Sequence, residues 1–219
     1  MNKIVSIGLV VLGMVVHLPQ LSLSEERPPA DVIRAAEEGI KTFAKMSQNR
    51  NLYGSAVLPE LSESVLGEGF QVFTVPPDKL LAARPDQGLL TLAVPTSQWE
   101  FLVLSEGKAK ATLTVDLVNN VWTAVSFGKA GLAQQLETVL KTWPISSDYR
   151  FRLIRVYQAT SDFIVLSKGD EVEGVIPLTS ARVAMGLEYK SFNPMDLRSP
   201  NEVVTDLIPI VRANILKTN

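Results

Sequence analysis

The chain contains no cysteine, and its only histidine is His17. Without cysteine it has no disulfide, no thiol nucleophile and no thiolate metal site. Histidine is the usual general base and the commonest protein metal ligand, because its unperturbed pKa lies near neutral pH. The sequence therefore offers little material for acid–base catalysis or for zinc sites built from Cys and His.

Neither charge nor aromatic content is pronounced. The 219 residues include 21 Lys and Arg against 23 Asp and Glu, so the chain lacks the basic character of a nucleic-acid-binding protein. Hydrophobic residues make up 46% of the chain, which is typical of a globular protein, and aromatics only 7%. We expect residues 25–219 to form one domain.

The first 24 residues have the three-part layout of a secretory signal peptide. Met1–Lys3 is a short basic region, Ile4–Val16 is an uninterrupted apolar run, and Ser22–Ser24 supplies small residues for cleavage. A membrane span needs about 20 apolar residues, so cleavage is favoured over a retained anchor. We therefore expect export to the periplasm or the medium, with contact to a membrane only if this segment is kept. Cleavage would also remove His17.

Hydrophobic patterning is clearest between Phe101 and Leu140. It predicts three strands separated by two-residue turns at Glu106-Gly107 and Asn119-Asn120. The strands are Phe101–Leu104, Ala111–Val115 and Val121–Phe127. From Ala130 the period changes to that of a helix. This stretch is predicted to be an antiparallel meander that leads into an amphipathic helix.

The remaining elements do not alternate strictly between strand and helix. Helices are predicted at about residues 31–47, at Leu58–Leu66 as a short turn, at Lys79–Ala83, from Thr179, and at about residues 200–217, where Pro209 should kink or split the helix. Strands are predicted at Phe70–Val75, Leu89–Val94, Tyr149–Tyr157, Phe163–Leu166 and Val172–Leu178. This order favours an α+β fold with a mainly antiparallel sheet flanked by amphipathic helices.

Two segments match the S-x-x-K pattern of serine–lysine hydrolases. Ser105–Lys108 lies on a predicted turn, and Gly128 separates Ser126 from the helix that follows it. Neither K-T-G nor S-D-N is present in the sequence. Turn residues with a solvated lysine are the favoured interpretation, and Ser126 with Lys129 is the catalytic alternative.

A pair of carboxylates is the other catalytic arrangement that needs no histidine. The candidate acids are Asp116, Asp162, Glu171 and Glu173. The acidic cluster at 170–173 lies on a predicted hairpin, where a solvated turn is favoured. No calcium-binding loop and no phosphate-binding glycine motif is present, so we expect no metal and no cofactor.

One predicted strand carries a concentration of residue types that are enriched at protein interfaces. These residues are Tyr149, Arg150, Arg152, Arg155 and Tyr157. By strand alternation Arg150 and Arg152 share a face, and Arg155 lies on the opposite one. The alternative is an edge strand that its charges keep soluble.

These observations favour an exported, non-catalytic binding or interaction protein. Its partner is expected to be a protein or a small ligand of the cell envelope, and not nucleic acid. An exported hydrolase that uses the serine–lysine pair or two carboxylates is the alternative.

Overall fold

The structure, a computed structural model, describes residues 27–48, 63–187 and 192–218. The predicted signal peptide lies outside these residues, as does most of the turn predicted at Leu58–Leu66. The helices are α1 (Ala30–Gln48), α2 (Pro77–Leu81), α3 (Leu89–Leu92), α4 (Ala130–Thr142), α5 (Thr179–Ala184) and α6 (Pro200–Thr218). The strands are β1 (Val65–Thr74), β2 (Val94–Ser105), β3 (Lys108–Val118), β4 (Val121–Gly128), β5 (Tyr149–Val156), β6 (Ser161–Lys168) and β7 (Glu171–Pro177). None of the helices described is both long enough and apolar enough to cross a bilayer.

The seven strands form one sheet in the order β4-β3-β2-β1-β5-β6-β7. Every neighbouring pair is antiparallel except β1 and β5, which run parallel. Two meanders therefore lie side by side, and the parallel pair joins them at the centre. This arrangement confirms the predicted α+β class with a mainly antiparallel sheet.

Two tight turns produce the first meander where the sequence predicts it. Glu106 and Gly107 have φ values of 50° and 71°, and Asn119 and Asn120 have φ values of 50° and 63°. Two successive positive φ values match the right-handed twist of the strands that they connect. Asn and Gly adopt positive φ values at low cost, which explains why the sequence predicts these turns correctly.

The prediction of a strand at Leu89–Val94 is wrong. Leu89–Leu92 is helix α3, and β2 begins at Val94 and continues through Pro95, which pairs with Phe73 near a β-bulge. Leu89 and Leu92 are both buried in the core that α6 covers. Residues three apart share one side of a helix but lie on opposite faces of a strand, so the core selects the helix.

Two further expectations are corrected by the topology. The strand β5 lies between β1 and β6, so the alternative that it is an edge strand is wrong. The helix α6 continues from Pro200 to Thr218 across Pro209, so of the two predicted effects of this proline, a kink or a split, the split is wrong.

Helices cover both faces of the sheet. On one face, here called the α1 face, α1 packs over β3 and β4, and α2, α3 and α6 pack over the β5–β7 half. On the other face, here called the α4 face, α4 packs against β2 and β3. Alternation along β2 sends Trp99 and Phe101 to the α1 face and Leu102 to the α4 face.

Candidate functional site

Glu100 is a carboxylate with no exposed surface, in the middle of β2. Strand alternation places its side chain on the α4 face, whereas the side chains of its neighbours Trp99 and Phe101 lie on the α1 face. Thr112 and Thr114 of β3 donate hydrogen bonds to its carboxylate oxygens. A buried carboxylate costs several kcal/mol of solvation, so its partners decide whether the fold can hold it.

Two cations approach Glu100 from different elements. Lys129 Nζ lies 3.1 Å from Oε1 and 3.2 Å from Oε2, and an Arg155 Nη atom lies 3.5 Å from Oε2. Arg155 Nε also donates to Asp162 Oδ1 at 2.7 Å, and Ser180 Oγ donates to Asp162 Oδ2 at 3.3 Å. We call this set the Glu100 cluster: Glu100, Thr112, Thr114, Lys129, Arg155, Asp162 and Ser180. Its two acids and two bases balance in charge.

Lys129 reaches Glu100 from an unusual backbone conformation. It is the N-cap of α4 and has a φ of 54° and a ψ of 49°, in the left-handed region. A residue other than glycine there costs about 1 kcal/mol or more. The preceding Gly128 has a φ of 141°, so the chain turns sharply between β4 and α4. This turn brings the ammonium group of Lys129 over the buried carboxylate.

The groups around Arg155 stabilise its positive charge. Burial alone would lower the pKa of Arg155, but the negative charges of Asp162 and Glu100 raise it above its ordinary value. The guanidinium is therefore positive at neutral pH. It acts as a permanent link between the two acids of the cluster.

A second polar group lies on β2 and β3, nearer the start of β2. Tyr157 donates a hydrogen bond to Gln98 Oε1 at 3.0 Å, and Gln98 Nε2 donates to Asp116 Oδ2 at 3.1 Å. Partial burial alone would raise the pKa of Asp116, but hydrogen bonds from Ser97, Gln98 and the backbone N–H of Leu117 outweigh it and hold the pKa below its ordinary value. Asp116 is therefore ionised at neutral pH.

The predicted serine–lysine pair is not joined in the part of the chain that the structure describes. Ser126 lies on β4 opposite Thr114 and makes no side-chain hydrogen bond to a described residue. Lys129 instead donates to Glu100 and to Thr114 Oγ1, the latter at 3.4 Å. A dyad lysine must accept a proton from its serine, whereas Lys129 here is the counter-ion of Glu100.

The four candidate acids do not form one group: Asp116 lies on β3 and Asp162 on β6, and Glu171 and Glu173 are exposed residues of β7. Asp162 is the second residue of β6, where it forms an ion pair with Arg155, and Glu171 lies opposite Lys168 at the other end of the same strand. Six residues of strand separate those two positions, about 20 Å. Paired carboxylates of glycosidases lie within about 10 Å of each other. Asp162 therefore cannot act with Glu171 in this way.

The five Tyr and Arg residues singled out on the sequence do not form one surface. The ring of Tyr149 packs edge-on against Trp143 at 5.1 Å. The guanidinium of Arg152 lies 5.2 Å from the ring centre of Phe73, which belongs to the core on the α1 face.

The other three differ from them in location. Arg155 belongs to the Glu100 cluster, Tyr157 lies beyond β5 in a 3-10 turn, and an Nη atom of Arg150 lies 3.9 Å from Asp148. A binding role for these residues stays a prediction.

The outer side of β4 has a different character from the rest of the surface. Here it is called the β4 edge, and no strand among the described residues pairs with it. The strand has the sequence VWTAVSFG, without a charged residue. Val121 is 62% exposed and Val125 45% exposed. Val125 forms a bulge, so the regular part of the edge is residues 121–124.

The opposite edge of the sheet, β7, is protected in several ways. It carries Glu171, Glu173 and Pro177, which hinder the addition of another strand. Val175 also exchanges two backbone hydrogen bonds of 2.9 Å with Arg198. The β4 strand has neither charge nor proline, and no described segment bridges its outer side, although it does carry a bulge.

Comparison with known proteins brings no assignment, because no family model matches the chain, and no curated protein or solved structure is significantly similar to it. Glu100 and the exposed residues Val121, Thr123 and Val125 of the β4 edge are not among the residues that the sequence singled out. The available signal for Glu100 was a lone acid within the apolar run Trp99–Val103. The signal for the β4 edge was a strand without charge, but the sequence does not tell which strands form the edges.

Proposed function

We propose that the protein is an exported, non-catalytic interaction protein that binds a polypeptide strand along the β4 edge. The observation that carries this proposal is the contrast between the two edges of the sheet. One edge is charged, contains proline and is partly bridged, whereas the other is uncharged and exposes two valines. An open edge of this kind accepts an extended chain, which adds a strand through main-chain hydrogen bonds.

The register of β4 supports this use of the edge. The two-residue turn makes Val118 and Val121 the hydrogen-bonded pair that closes the hairpin. Bonded and non-bonded pairs alternate along an antiparallel ladder, so the backbone N–H and C=O of Trp122 point away from β3. No described residue outside the sheet bonds to them, so they are available to a partner strand, and the side chains of Val121 and Val125 supply apolar contact beside them.

Two observations support the non-catalytic and exported parts of the proposal. Among the described candidates for chemistry, Lys129, Asp162 and Asp116 are held by ion pairs or hydrogen bonds to neighbouring side chains. The N-terminal residues have the layout of a cleaved leader, as described above. Cleavage is checked by N-terminal sequencing of the exported protein, which should begin near Glu25.

Site-specific cross-linking tests the interaction surface. A photoreactive amino acid replaces Val121 in the full chain, expressed in the cells that naturally export it, and the matched control replaces Val172 on β7, which is 39% exposed. We expect a polypeptide adduct from position 121 and little from position 172. Equal labelling from both positions, or none from 121, would rule out the β4 edge as the interaction surface.

A further inference from the structure

We infer that the strand bound by the β4 edge is β4 of a second copy of this chain, so that the protein is a dimer with a continuous sheet of fourteen strands, twice the seven of one copy. This inference rests on the proposed use of the β4 edge and names its partner. Most soluble oligomers are closed, two-fold symmetric assemblies of identical chains. In such a dimer the same surface patch of each subunit must fit itself.

The exposed residues of β4 have this self-complementary pattern. Val121, Thr123 and Val125 are the exposed residues of the strand, and Trp122 and Ala124 between them are partly buried. An antiparallel pairing with its two-fold axis at Thr123 places Val121 opposite Val125 of the second copy, twice. Thr123 then lies opposite its own symmetry mate. Threonine pairs are favourable across strands, and valine is a residue that strands favour.

Hydrogen bonding agrees with the same register. Trp122 and Ala124 lie two positions apart and direct their backbone groups to the same side of the strand. With the axis at Thr123 these two residues face each other across the interface, Trp122 of one copy opposite Ala124 of the other. The outward N–H and C=O groups are therefore paired. The bulge at Val125 is reached only at the last position of the pairing.

Charge favours pairing of two copies at this edge and not at the other one. Self-pairing brings identical residues near each other, and like charges directly opposite destabilise a strand pair. The β4 strand contains no charged residue, whereas β7 contains Glu171 and Glu173. A second β4 is also an already ordered strand, so it loses less conformational entropy on binding than a flexible peptide does.

The helix α1 adds a second contact. It packs over β4 and β3 through Gly39 and Phe43, whose ring stacks on Phe127 with 5.5 Å between ring centres. In the dimer, the two copies of α1 would lie on the same face of the continuous sheet. Their axes would be about two strand spacings apart, roughly 10 Å. Packed helices have axes 8–10 Å apart, so the copies fit beside each other.

An introduced cysteine tests the axis directly, because the native chain has none. The full chain with Thr123→Cys is oxidised under mild conditions and analysed on a non-reducing gel. Directly opposite residues of a non-hydrogen-bonded pair have Cα atoms about 4.5 Å apart, which a disulfide can bridge. We expect a covalent dimer that requires no other protein, and only monomer from the control Val172→Cys.

Charge substitutions test the register. The double variant Val121→Lys, Val125→Lys places lysines opposite each other and should raise the dimer dissociation constant at least about tenfold in sedimentation experiments. The double variant Val121→Lys, Val125→Glu places each lysine opposite a glutamate and should restore dimerisation. Circular dichroism and thermal unfolding verify that both variants are folded.

The outcomes separate this inference from the proposed function. A wild-type chain that is monomeric at micromolar concentration, or a dimer that both charge variants leave intact, would overturn the dimer. If the purified chain is monomeric but position 121 still cross-links to a different polypeptide in cells, the β4 edge keeps its function and only the identity of the partner is wrong. Failure of both experiments would reject the two proposals together.

Discussion

Lys129 Nζ and Glu100 Oε1 lie 3.1 Å apart, and the glutamate has no exposed surface while the lysine side chain is 39% exposed. This pair joins the start of α4 to the centre of the sheet. The lysine adopts a left-handed backbone to reach the carboxylate, so the ion pair and the backbone conformation support each other. Breaking this pair leaves Arg155, whose Nη atom is 3.5 Å from Oε2, as the remaining cation of the Glu100 cluster. The buried carboxylate is then less well compensated, so the loss exceeds what the intact pair contributes.

Replacing Lys129 by methionine should therefore destabilise the protein by about 2–3 kcal/mol, less than the roughly 3–5 kcal/mol of fully buried pairs, because the lysine is partly exposed and Arg155 still contacts Glu100. Urea denaturation followed by fluorescence measures this change. The matched control is Lys141→Met, which removes a surface lysine 3.0 Å from Glu137. Exposed pairs of that spacing contribute about 0.5 kcal/mol or less. Equal losses in the two variants would contradict a special role for Lys129.

Combining Lys129→Met with Glu100→Gln should cost less than the sum of the two single changes. The glutamine carries no charge, so the double variant has no unpaired ion and can still accept the hydrogen bond from Thr112. Groups in direct contact commonly couple by about 1–3 kcal/mol in such a cycle. Unfolding free energies of the four proteins give the coupling directly. Simple additivity would show that Lys129 does not act through Glu100.

The sequence predicts the local parts of this fold well. The meander β2–β4 and the helix α4 lie where period and turn residues place them, since Asn119 and Asn120 mark their turn with side chains that tolerate positive φ. The sequence does not predict that β1 and β5 meet in parallel. Two distant segments make that contact, and no short motif encodes it.

In the candidate site, too, the sequence predicts local features but not the contacts between distant segments. Arg155 was selected on the sequence as an interface residue, but the structure places it against Glu100 and Asp162 in the interior. Its role depends on β2, β5 and β6, whose relative positions only the complete sheet defines. The prediction of a strand at Leu89–Val94 is wrong for a related reason. Four residues are too short to show a period, so burial of Leu89 and Leu92 decides their conformation.

Asp116 should make the stability of the folded protein depend on pH in the acidic range. Its folded pKa lies below the ordinary value of 3.8, so its stabilising effect is complete above that pH and is lost as the pH falls through the folded pKa. The stability advantage of the wild type over Asp116→Asn should therefore shrink below a pH of about 4. Urea titrations from pH 3 to 7 measure it. Ser97→Ala removes one hydrogen bond to the carboxylate and should weaken the dependence. An advantage that is constant across this range would contradict the assignment.

Two glycine-to-alanine substitutions should have opposite effects. A Cβ on Gly39 would lie far inside van der Waals contact of the Cβ of Ala124, so α1 would have to move away from β4. This overpacking costs about 1–3 kcal/mol, more than the gain in helix propensity. Gly131 of α4 has no atom within 4 Å of such a Cβ, so Gly131→Ala should stabilise by up to about 1 kcal/mol.

A compensating change identifies the contact responsible for the loss at Gly39. Adding Ala124→Gly to Gly39→Ala moves the methyl group from the strand to the helix, so the clash disappears and most of the lost stability should return. Thermal unfolding of the single and double variants measures this. If Gly39→Ala is instead as stable as Gly131→Ala, the helix does not pack this closely on β4.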